Sequence, residues 1–358
     1  MYPPHHLGGY ELMWRSSVRQ LRDAGHDVRV LTTDYRHPAP DTAIPEDPDA
    51  HRELRWYWRD HAWPRLSIRA RWRLERHNLR VLGDHLAEFR PDAVAWWAMG
   101  GMSLSLIERA LARGVSGVGV VVDDWLLYGP REDQWQRLIR RAGPLRRASG
   151  PLLGIPGRLT FDRRLEWVVV SEVILGHARS HGWALPRRVV APAGVDHALF
   201  RAAPASAWAE RLPCVGRIDR RKGVMVALEM LAHRPAATLR VVGGGDDQHL
   251  AELRLRAAAL GVEARVSFEA AARTELPGIY AAADALLFPV LWEEPFGIVP
   301  LEAMAVGRPV VASGRGGSAE YLHDRENSLI YSPAEDPRAL AAAVAELAAQ
   351  PILRDALV

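Results

Sequence analysis

The chain has 358 residues, more than a single hydrophobic core usually organises, so we expect two domains. Its hydrophobic fraction of 48% and charged fraction of 25% exclude a disordered chain and are typical of a soluble globular protein. The formal net charge is only +3, yet Lys222 is the single lysine among 46 basic residues, and the single cysteine, Cys214, excludes an intrachain disulfide.

The sequence begins without the regions of a secretory signal peptide. Its longest apolar run, LPGIYAAADALLFPVLW, carries Asp284 in its middle and is too short to span a bilayer. We therefore expect a cytoplasmic protein.

In chain order, short β-rich apolar runs alternate with longer amphipathic segments, a pattern typical of parallel α/β architecture. In the first half, strands are predicted at 26–32, 92–97, 117–122, 167–171 and 188–192, and helices at about 10–24, 66–89, 103–113, 133–147 and 172–181. A surface loop with four prolines is predicted at 36–50. In the second half, strands are predicted at 212–217, 238–243, 264–268, 285–289, 309–313 and 327–331, and helices at about 222–232, 247–260, 274–282, 298–305 and 336–349.

The segment APAGVDHALFRAAPASA (191–207) has the proline, glycine and small residues of a linker. We therefore predict two Rossmann-like, doubly wound parallel-sheet domains, at 1–190 and 208–358, facing a cleft. Ligands are expected at the carboxyl ends of the strands and in that cleft.

The first loop, PPHHLGGYE (3–11), precedes the first predicted helix. In a doubly wound domain such a glycine-rich loop normally follows the first strand, and here the sequence starts inside the loop. We therefore expect the first sheet to lack a strand, which leaves unpaired backbone on its neighbours.

The turn VGRIDRRKG (215–223) links a predicted strand to a predicted helix. Arg217 and Lys222 would then project from the carboxyl edge of the sheet, where an arginine fork and a lysine point charge suit a diphosphate. The alternative is a solvated basic turn, which we favour for Arg220 and Arg221.

The segment EEPFGIVPLE (293–302) follows another predicted strand and opens a helix. Its free backbone amides at 296–299 form an anion site at a helix N-terminus. Glu294 lies before the helix and Glu302 about a turn into it, so both carboxylates can accept hydrogen bonds from hydroxyl groups of one ligand.

These segments resemble, in order, the motifs of retaining glycosyltransferases of the glycosyltransferase-B fold. EPFGIVPLE is similar to the Glu-x7-Glu motif of the large group that includes sucrose and glycogen synthases and bacterial mannosyltransferases. VGRIDRRKG resembles that group's diphosphate-binding turn, APAGVDHALF its interdomain segment, and LGGYE its N-terminal glycine loop. The resemblance leads us to expect further helix beyond PILRDALV, so the chain resembles a form shortened at both ends.

The resemblance implies that Glu302 holds the ribose of a nucleotide-sugar donor and that Glu294 touches the transferred sugar. Arg217 and Lys222 would neutralise the leaving diphosphate. The implied donor-binding set is Gly8, Gly9, Gly216, Phe296, Gly297, Ile298 and Glu302.

One motif departs from the family pattern. Where the group often has a His-Asp pair, this chain reads VVVDDWLLYGPR (120–131), which places Asp123 at the histidine position. Asp123 and Asp124 are candidates for contacting the donor or the acceptor. The alternative is that they only cap the end of a strand.

We expect no metal and no cofactor. The only Asp-x-Asp sequence, Asp47-Pro48-Asp49, lies in the proline-rich loop, and His5 and His6 are adjacent, which is poor spacing for one metal ion.

Residues 51–80 carry nine arginines, three acids, four tryptophans and a tyrosine. This composition suits an anionic membrane surface or a lipid-linked acceptor, and a second basic stretch at 137–147 favours those over nucleic acid. The alternative is a helix with a solvated arginine face.

The sequence therefore predicts a metal-independent retaining hexosyltransferase that uses a nucleotide-diphosphate sugar and a hydroxyl acceptor, with the inner face of the membrane as a place of peripheral contact. An impaired protein that binds nucleotide sugar without turnover remains an alternative. A dinucleotide-dependent oxidoreductase fits less well, because VVGGGDDQH (241–249) lacks the third glycine of that fingerprint.

Overall fold

The computed structural model describes residues 1–38, 40–58, 62–141, 154–156 and 159–358. The chain divides into two compact units, Met1–Ala191 (unit 1) and Pro192–Val358 (unit 2). All eight strand pairings within these residues are parallel. The predicted parallel α/β architecture is therefore confirmed.

The described part of unit 1 forms two parallel sheets. The first pairs β1 (Val30–Thr33) with β2 (Ala50–Leu54), and the second has the order β3 (Ala93–Trp97), β4 (Ser116–Val121), β5 (Glu166–Val169), β6 (Arg188–Val190). The helices are α1 (Gly9–Asp23), α2 (Ile68–Phe89), α3 (Ser105–Ala112), α4 (Trp125–Glu132), α5 (Gln134–Arg141) and α6 (Glu172–Ser180).

Strand β2 was not predicted, because its sequence AHREL has no apolar alternation. Its polar side chains are instead satisfied by neighbours: Arg52 pairs with Glu46, and Glu53 lies 3.4 Å from His85 of α2. Helix α4 was also missed, and the predicted helix 133–147 is seen only as α5, since 142–147 lie outside the described residues.

The described residues show no ladder between the β1–β2 sheet and the β3–β6 sheet. Aromatic side chains of α1 pack beside β3 and β4. Tyr10 donates a hydrogen bond to Val120 O at 2.8 Å, and the Trp14 ring stacks on Trp97 with centroids 6.3 Å apart. Helix α1 thus contacts the edge of the larger sheet through these rings.

Unit 2 contains two three-stranded parallel sheets. Their orders are β7 (Arg211–Val215), β8 (Thr238–Val242), β9 (Val266–Glu269), and β10 (Leu286–Phe288), β11 (Val310–Ala312), β12 (Leu329–Ile330). The helices are α7 (Val224–Met230), α8 (Asp247–Leu260), α9 (Leu276–Ala281), α10 (Ile298–Ala305), α11 (Pro337–Ala349) and α12 (Pro351–Ala356).

Strands β7 and β10 start side by side, because Asp284 N, just before β10, donates to Arg211 O at 2.9 Å. Apolar residues from these strands and the covering helices form two buried clusters, which include Leu239 and Leu340 in one and Leu286 and Val310 in the other. The carboxyl ends of parallel neighbours share one edge, so the loops after β7 and β10 meet there.

The predicted linker, 191–207, lies almost wholly in unit 2, which begins at Pro192. Phe200 is fully buried and its ring lies 6.1 Å from that of Tyr280. The buried Arg308 guanidinium donates to the carbonyl oxygens of Ala203 and Pro204 at 3.1 and 2.8 Å. Buried polar groups need such partners, and two of the partners of Arg308 are carbonyls of this segment.

Candidate donor site

The loop after β7 places two cations at the carboxyl edge of unit 2. A 3-10 turn, Arg220–Lys222, is capped by Asp219, whose side chain accepts from Arg221 N at 2.9 Å. Gly223 ends the turn with φ +68°, and a Cβ there would lie 1.8 Å from Pro289 O. Only glycine fits that approach, which fixes the path of the chain next to Lys222.

Lys222 and Glu294 form an ion pair across this edge. Lys222 Nζ lies 2.7 Å from Glu294 Oε2, and Trp292 Nε1 donates to the same oxygen at 2.7 Å. The Lys222 side chain is 22% exposed and that of Glu294 is 9% exposed. The sequence assigned these residues to different parts of one ligand, and the structure brings their charged groups into contact.

A small recess lies between the ends of β7 and β10. Gly216, Arg217 and Lys222 line one side, and residues 288–290 line the other. Gly216 has φ +136°, and the Arg217 side chain is exposed. The structure therefore brings Gly216, Arg217 and Lys222 to one place.

Helix α10 begins beside this recess. Its N-cap, Gly297, has φ +81° and no side chain caps the first turn. Tyr321 donates a hydrogen bond to Gly297 O, and its ring lies 5.0 Å from that of Phe296. The first-turn amides that follow Phe296, including Ile298, lie at the positive end of the helix dipole, which favours an anion.

Glu302 lies deeper than the sequence suggested. It is 1% exposed, and its two carboxylate oxygens accept from Arg273 at 2.7 Å and from Tyr280 at 3.0 Å. Burial raises the pKa of Glu302, while the Arg273 charge acts in the opposite direction. Arg273 and Tyr280 were not predicted, since nothing in their local sequence marks them.

A glycine-rich segment after β11 was also missed. Gly317 N donates to Glu294 O at 2.6 Å, and a Cβ on Gly316 would lie 2.2 Å from Glu294 N. The segment GRGGS directly follows the apolar strand PVVAS. A glycine-containing turn directly after an apolar strand is the pattern that identified the other loops, so this segment could have been recognised from the sequence.

In unit 1, Asp123 and Asp124 follow β4 at the carboxyl edge. Asp123 accepts from Tyr128 OH at 2.8 Å and from Trp125 N at 3.1 Å. Burial raises the pKa of Asp123 to about 6. Asp124 accepts from His177 Nδ1 at 3.0 Å. His177 lies 53 residues further along the chain, and no sequence signal pointed to it.

Gly8 and Gly9, the N-cap and the first residue of α1, lie near Asp123. A Cβ on Gly8 would lie 4.0 Å from the Glu11 carboxylate, and the Glu11 charge contributes to the raised pKa of Asp123. Nothing lies within 4 Å of a Cβ on Gly9, so the backbone is open there.

The residues examined as metal ligands have other partners. Asp47 accepts from Tyr2 OH at 3.1 Å and pairs with Arg22 at 2.9 Å, and Asp49 lies 3.4 Å from the same guanidinium. His5, which is 7% exposed, accepts from His37 N at 3.0 Å, while His6 Nδ1 lies 3.2 Å from Pro4 O.

Among the described residues, one group has metal-ligand spacing: His51, Glu53 and His85, with ligand atoms within 4.8 Å of one another. Arg29 donates to His85 Nδ1 at 3.3 Å, which places the neutral imidazole proton on Nε2, facing Glu53 at 3.4 Å. A metal ion would have to replace that proton, so hydrogen bonding accounts for the group.

Residues 204–358 match the family model described as Glycosyl transferases group 1. The match covers 155 of the 358 residues, all of them in unit 2. Curated relatives of this group 1 domain include the D-inositol 3-phosphate glycosyltransferase of Corynebacterium jeikeium (strain K411). It is 37% identical over 153 residues, 40% of this chain and 36% of the relative.

A second relative is the GDP-mannose-dependent alpha-(1-6)-phosphatidylinositol monomannoside mannosyltransferase of Mycobacterium tuberculosis (strain ATCC 25618 / H37Rv). It is 35% identical over 177 residues, 44% of this chain and 45% of the relative. The matched part thus spans less than half the length of these relatives.

Solved structures extend the likeness in fold to nearly the whole chain. Sucrose-phosphate synthase from Thermosynechococcus elongatus has a TM-score of 0.69 at 21% identity, covering 99% of this chain and 87% of that one. WaaG, a glycosyltransferase involved in lipopolysaccharide biosynthesis, has a TM-score of 0.65 at 21% identity, covering 100% and 91%. The predicted glycosyltransferase-B fold is confirmed.

Proposed function

We propose that this chain is a retaining, metal-independent hexosyltransferase that moves a sugar from a nucleotide-diphosphate donor to a hydroxyl acceptor. The observation that carries the proposal is the Lys222–Glu294 pair beside the uncapped start of α10. The pair keeps an ammonium and a carboxylate at the mouth of an anion site. A nucleotide-diphosphate sugar offers a diphosphate to the ammonium and sugar hydroxyls to the carboxylate.

In the proposed complex, Lys222 moves from Glu294 to the diphosphate, which Arg217 and the first amides of α10 also contact. Glu294 then accepts hydrogen bonds from hydroxyls of the sugar. As the bond between the anomeric carbon and the diphosphate oxygen breaks, negative charge grows on the leaving group, and preorganised donors stabilise it. The acceptor oxygen attacks from the same face, and its proton passes to the departing phosphate oxygen.

A ribose contact by Glu302 requires the Arg273 contact to open, because both carboxylate oxygens are engaged and the residue is buried. The proposal includes that movement. The assignment of Gly8, Gly9, Asp123 and Asp124 to the same reaction stays a prediction.

The donor is proposed to be a UDP- or GDP-sugar. A relative is named for its dependence on GDP-mannose, and Anabaena Alr3699/HepE, of similar fold at 21% identity and a TM-score of 0.61, has been solved with UDP-glucose. The acceptor is proposed to be a lipid-linked or cell-surface glycan precursor.

Peripheral contact with an anionic membrane is proposed for the start of α2. Trp63 and Ile68 are 39% and 57% exposed, and the exposed Arg65 and Arg69 flank them. Exposed apolar side chains between arginines suit the interfacial region of a bilayer. Among the described helices, none has the length and apolarity to cross one.

The experiment is a thermal-shift panel of nucleotide-diphosphate sugars in EDTA on the wild-type chain and Lys222→Ala. A ligand at 100 times its dissociation constant stabilises by roughly 2.7 kcal/mol. A shift with one nucleotide, lost in the variant, supports the donor site. If none of the donors shifts the wild type, the proposal fails. Binding without release of nucleoside diphosphate would identify a binding protein instead.

A further inference from the structure

A recess in unit 1, distinct from the donor site of unit 2, has the composition of an anion site. Its lining residues are Trp63, Arg65, Arg71, Gln134 and Arg137, and its volume is about 220 Å³. Clefts for drug-sized ligands have volumes of about 300–1,000 Å³, so this recess suits one charged group with a few attached atoms.

The recess is held in shape by hydrogen bonds. Buried Gln134 donates to Pro64 O at 2.7 Å and accepts from Leu66 N at 3.2 Å. Arg71 donates to Leu66 O at 2.9 Å. Gln134 thereby fixes both neighbours of Arg65, and the Arg71 guanidinium is anchored in the wall.

The charges of the recess are not balanced within it. Three of its five lining residues are arginines and none is an acid, and no described carboxylate pairs with Arg65, Arg71 or Arg137. An adjoining recess shares Arg137 and adds Arg131, Arg140 and one carboxylate, Glu132. Guanidinium groups held together repel one another, and an anion that binds between them removes that repulsion.

The recess also borders the edge of the sheet where substrates are expected. Trp63 forms part of its wall, and a Cβ on Gly101 would lie 2.6 Å from the Trp63 ring. Gly101 lies in the loop after β3, at the carboxyl edge, and its φ is +75°. A molecule bound in the recess therefore lies beside the loops that receive ligands in such sheets.

We infer that this recess binds the phosphate group of a phosphorylated acceptor. Arg65 and Arg137 donate charge-assisted hydrogen bonds to the phosphate oxygens, and Trp63 covers the attached organic part. The inference rests on the proposed function, since it supplies the acceptor chemistry for that transfer. The phosphate belongs either to a soluble phosphorylated sugar or polyol or to a phospholipid headgroup.

The test uses the full chain and two probes. Calorimetry measures binding of glycerol 3-phosphate, and co-sedimentation measures binding to phosphatidylcholine vesicles with and without phosphatidylinositol. The recess variant is Arg65→Gln/Arg137→Gln. The matched control is Arg73→Gln/Arg80→Gln, which removes the same charge from exposed positions of α2 outside the lining and outside the proposed membrane contact.

We expect the recess variant to bind the phosphate probe about 100-fold more weakly, because each of the two charge-assisted hydrogen bonds lost contributes about tenfold. The affinity of the control variant should change by less than about threefold. A loss confined to glycerol 3-phosphate identifies a soluble acceptor, and a loss confined to phosphatidylinositol vesicles identifies a lipid. If the two variants behave alike with both probes, the inference is overturned.

Binding of UDP and GDP is measured in parallel on all three chains. The recess and control variants should bind nucleotide as the wild type does, because their substitutions lie in unit 1. If the wild type binds neither UDP nor GDP, the proposed function is refuted. Binding of glycerol 3-phosphate and of the vesicles would still test whether the recess holds a phosphate.

Discussion

Replacing Lys222 by alanine tests the proposed donor site most directly. In the structure its ammonium lies 2.7 Å from Glu294 Oε2, at the mouth of the recess that also contains Arg217. The variant removes the cation proposed to contact the diphosphate. It also leaves the Glu294 carboxylate, 9% exposed, with Trp292 Nε1 as its remaining hydrogen-bond donor among the described side chains.

The two effects act in the same direction. A hydrogen bond to a charged group contributes about 1.5–3 kcal/mol, which corresponds to roughly 10- to 150-fold in kcat/KM if it is made in the transition state. An unpaired carboxylate beside the leaving diphosphate adds repulsion. We therefore expect Lys222→Ala to lower kcat/KM by at least about 100-fold.

The assay follows release of nucleoside diphosphate with the donor chosen by thermal shift. Arg221→Ala is the matched control, because Arg221 is adjacent, more exposed and paired with Asp219. In the double variant Lys222→Ala/Glu294→Gln the repulsion is gone, so a partial recovery relative to Lys222→Ala is expected. Turnover of Lys222→Ala within threefold of wild type would refute the reasoning.

Three further predictions concern buried charges. Burial, reinforced by the charge of Asp133, raises the pKa of Glu75 to about 8, so the folded protein keeps a proton that the unfolded chain loses near pH 4.5. The free energy of unfolding of the wild type should then fall as pH rises from 4.5 to 8, by up to about 1.4 kcal/mol per pH unit. Thermal melts of Glu75→Gln should show a weaker dependence of stability on pH. An equally steep dependence in the variant would contradict the prediction. Burial raises the pKa of Asp123 to about 6, so a reaction that needs its carboxylate should lose kcat/KM below about pH 6. The Asp123→Asn variant should lack this acidic fall in kcat/KM. The same fall in both proteins would exclude Asp123 as its source. Arg308→Met removes a guanidinium that donates to five backbone carbonyls, so we expect it to lower the free energy of unfolding in urea by about 3 kcal/mol or more. The control Arg201→Met, at an exposed arginine, should change it little. Equal urea midpoints for the two variants would refute the prediction.

Sequence patterns predicted those parts of the fold in which apolar residues mark the elements. Strands such as β4 and β11 are nearly continuous apolar runs, as expected for buried parallel strands. Strand β2 was missed because its charged side chains find polar partners on both faces. Helix α4 was missed because it contains Pro130, which ordinarily argues against a helix.

The candidate site was predictable where a single short segment of sequence contains the residues concerned. The loops around Lys222 and Glu294 could be placed at a sheet edge from the strand–turn–helix pattern alone. Their contact with each other could not, because the two residues are 72 positions apart and meet only because β7 and β10 lie side by side. The engagement of Glu302 by Arg273 and Tyr280 is likewise a product of tertiary packing.

The Lys222–Glu294 pair also makes this site chemically addressable. Since the chain has a single lysine, its side chains offer amine-selective reagents one target, the ammonium of this pair. The Lys222 side chain is 22% exposed, and its nitrogen is held in an ion pair 2.7 Å from a Glu294 oxygen, which restricts its approach to a reagent. The Glu294→Gln substitution should therefore make Lys222 acylate faster, so the labelling rate of one residue reports the state of the ion pair.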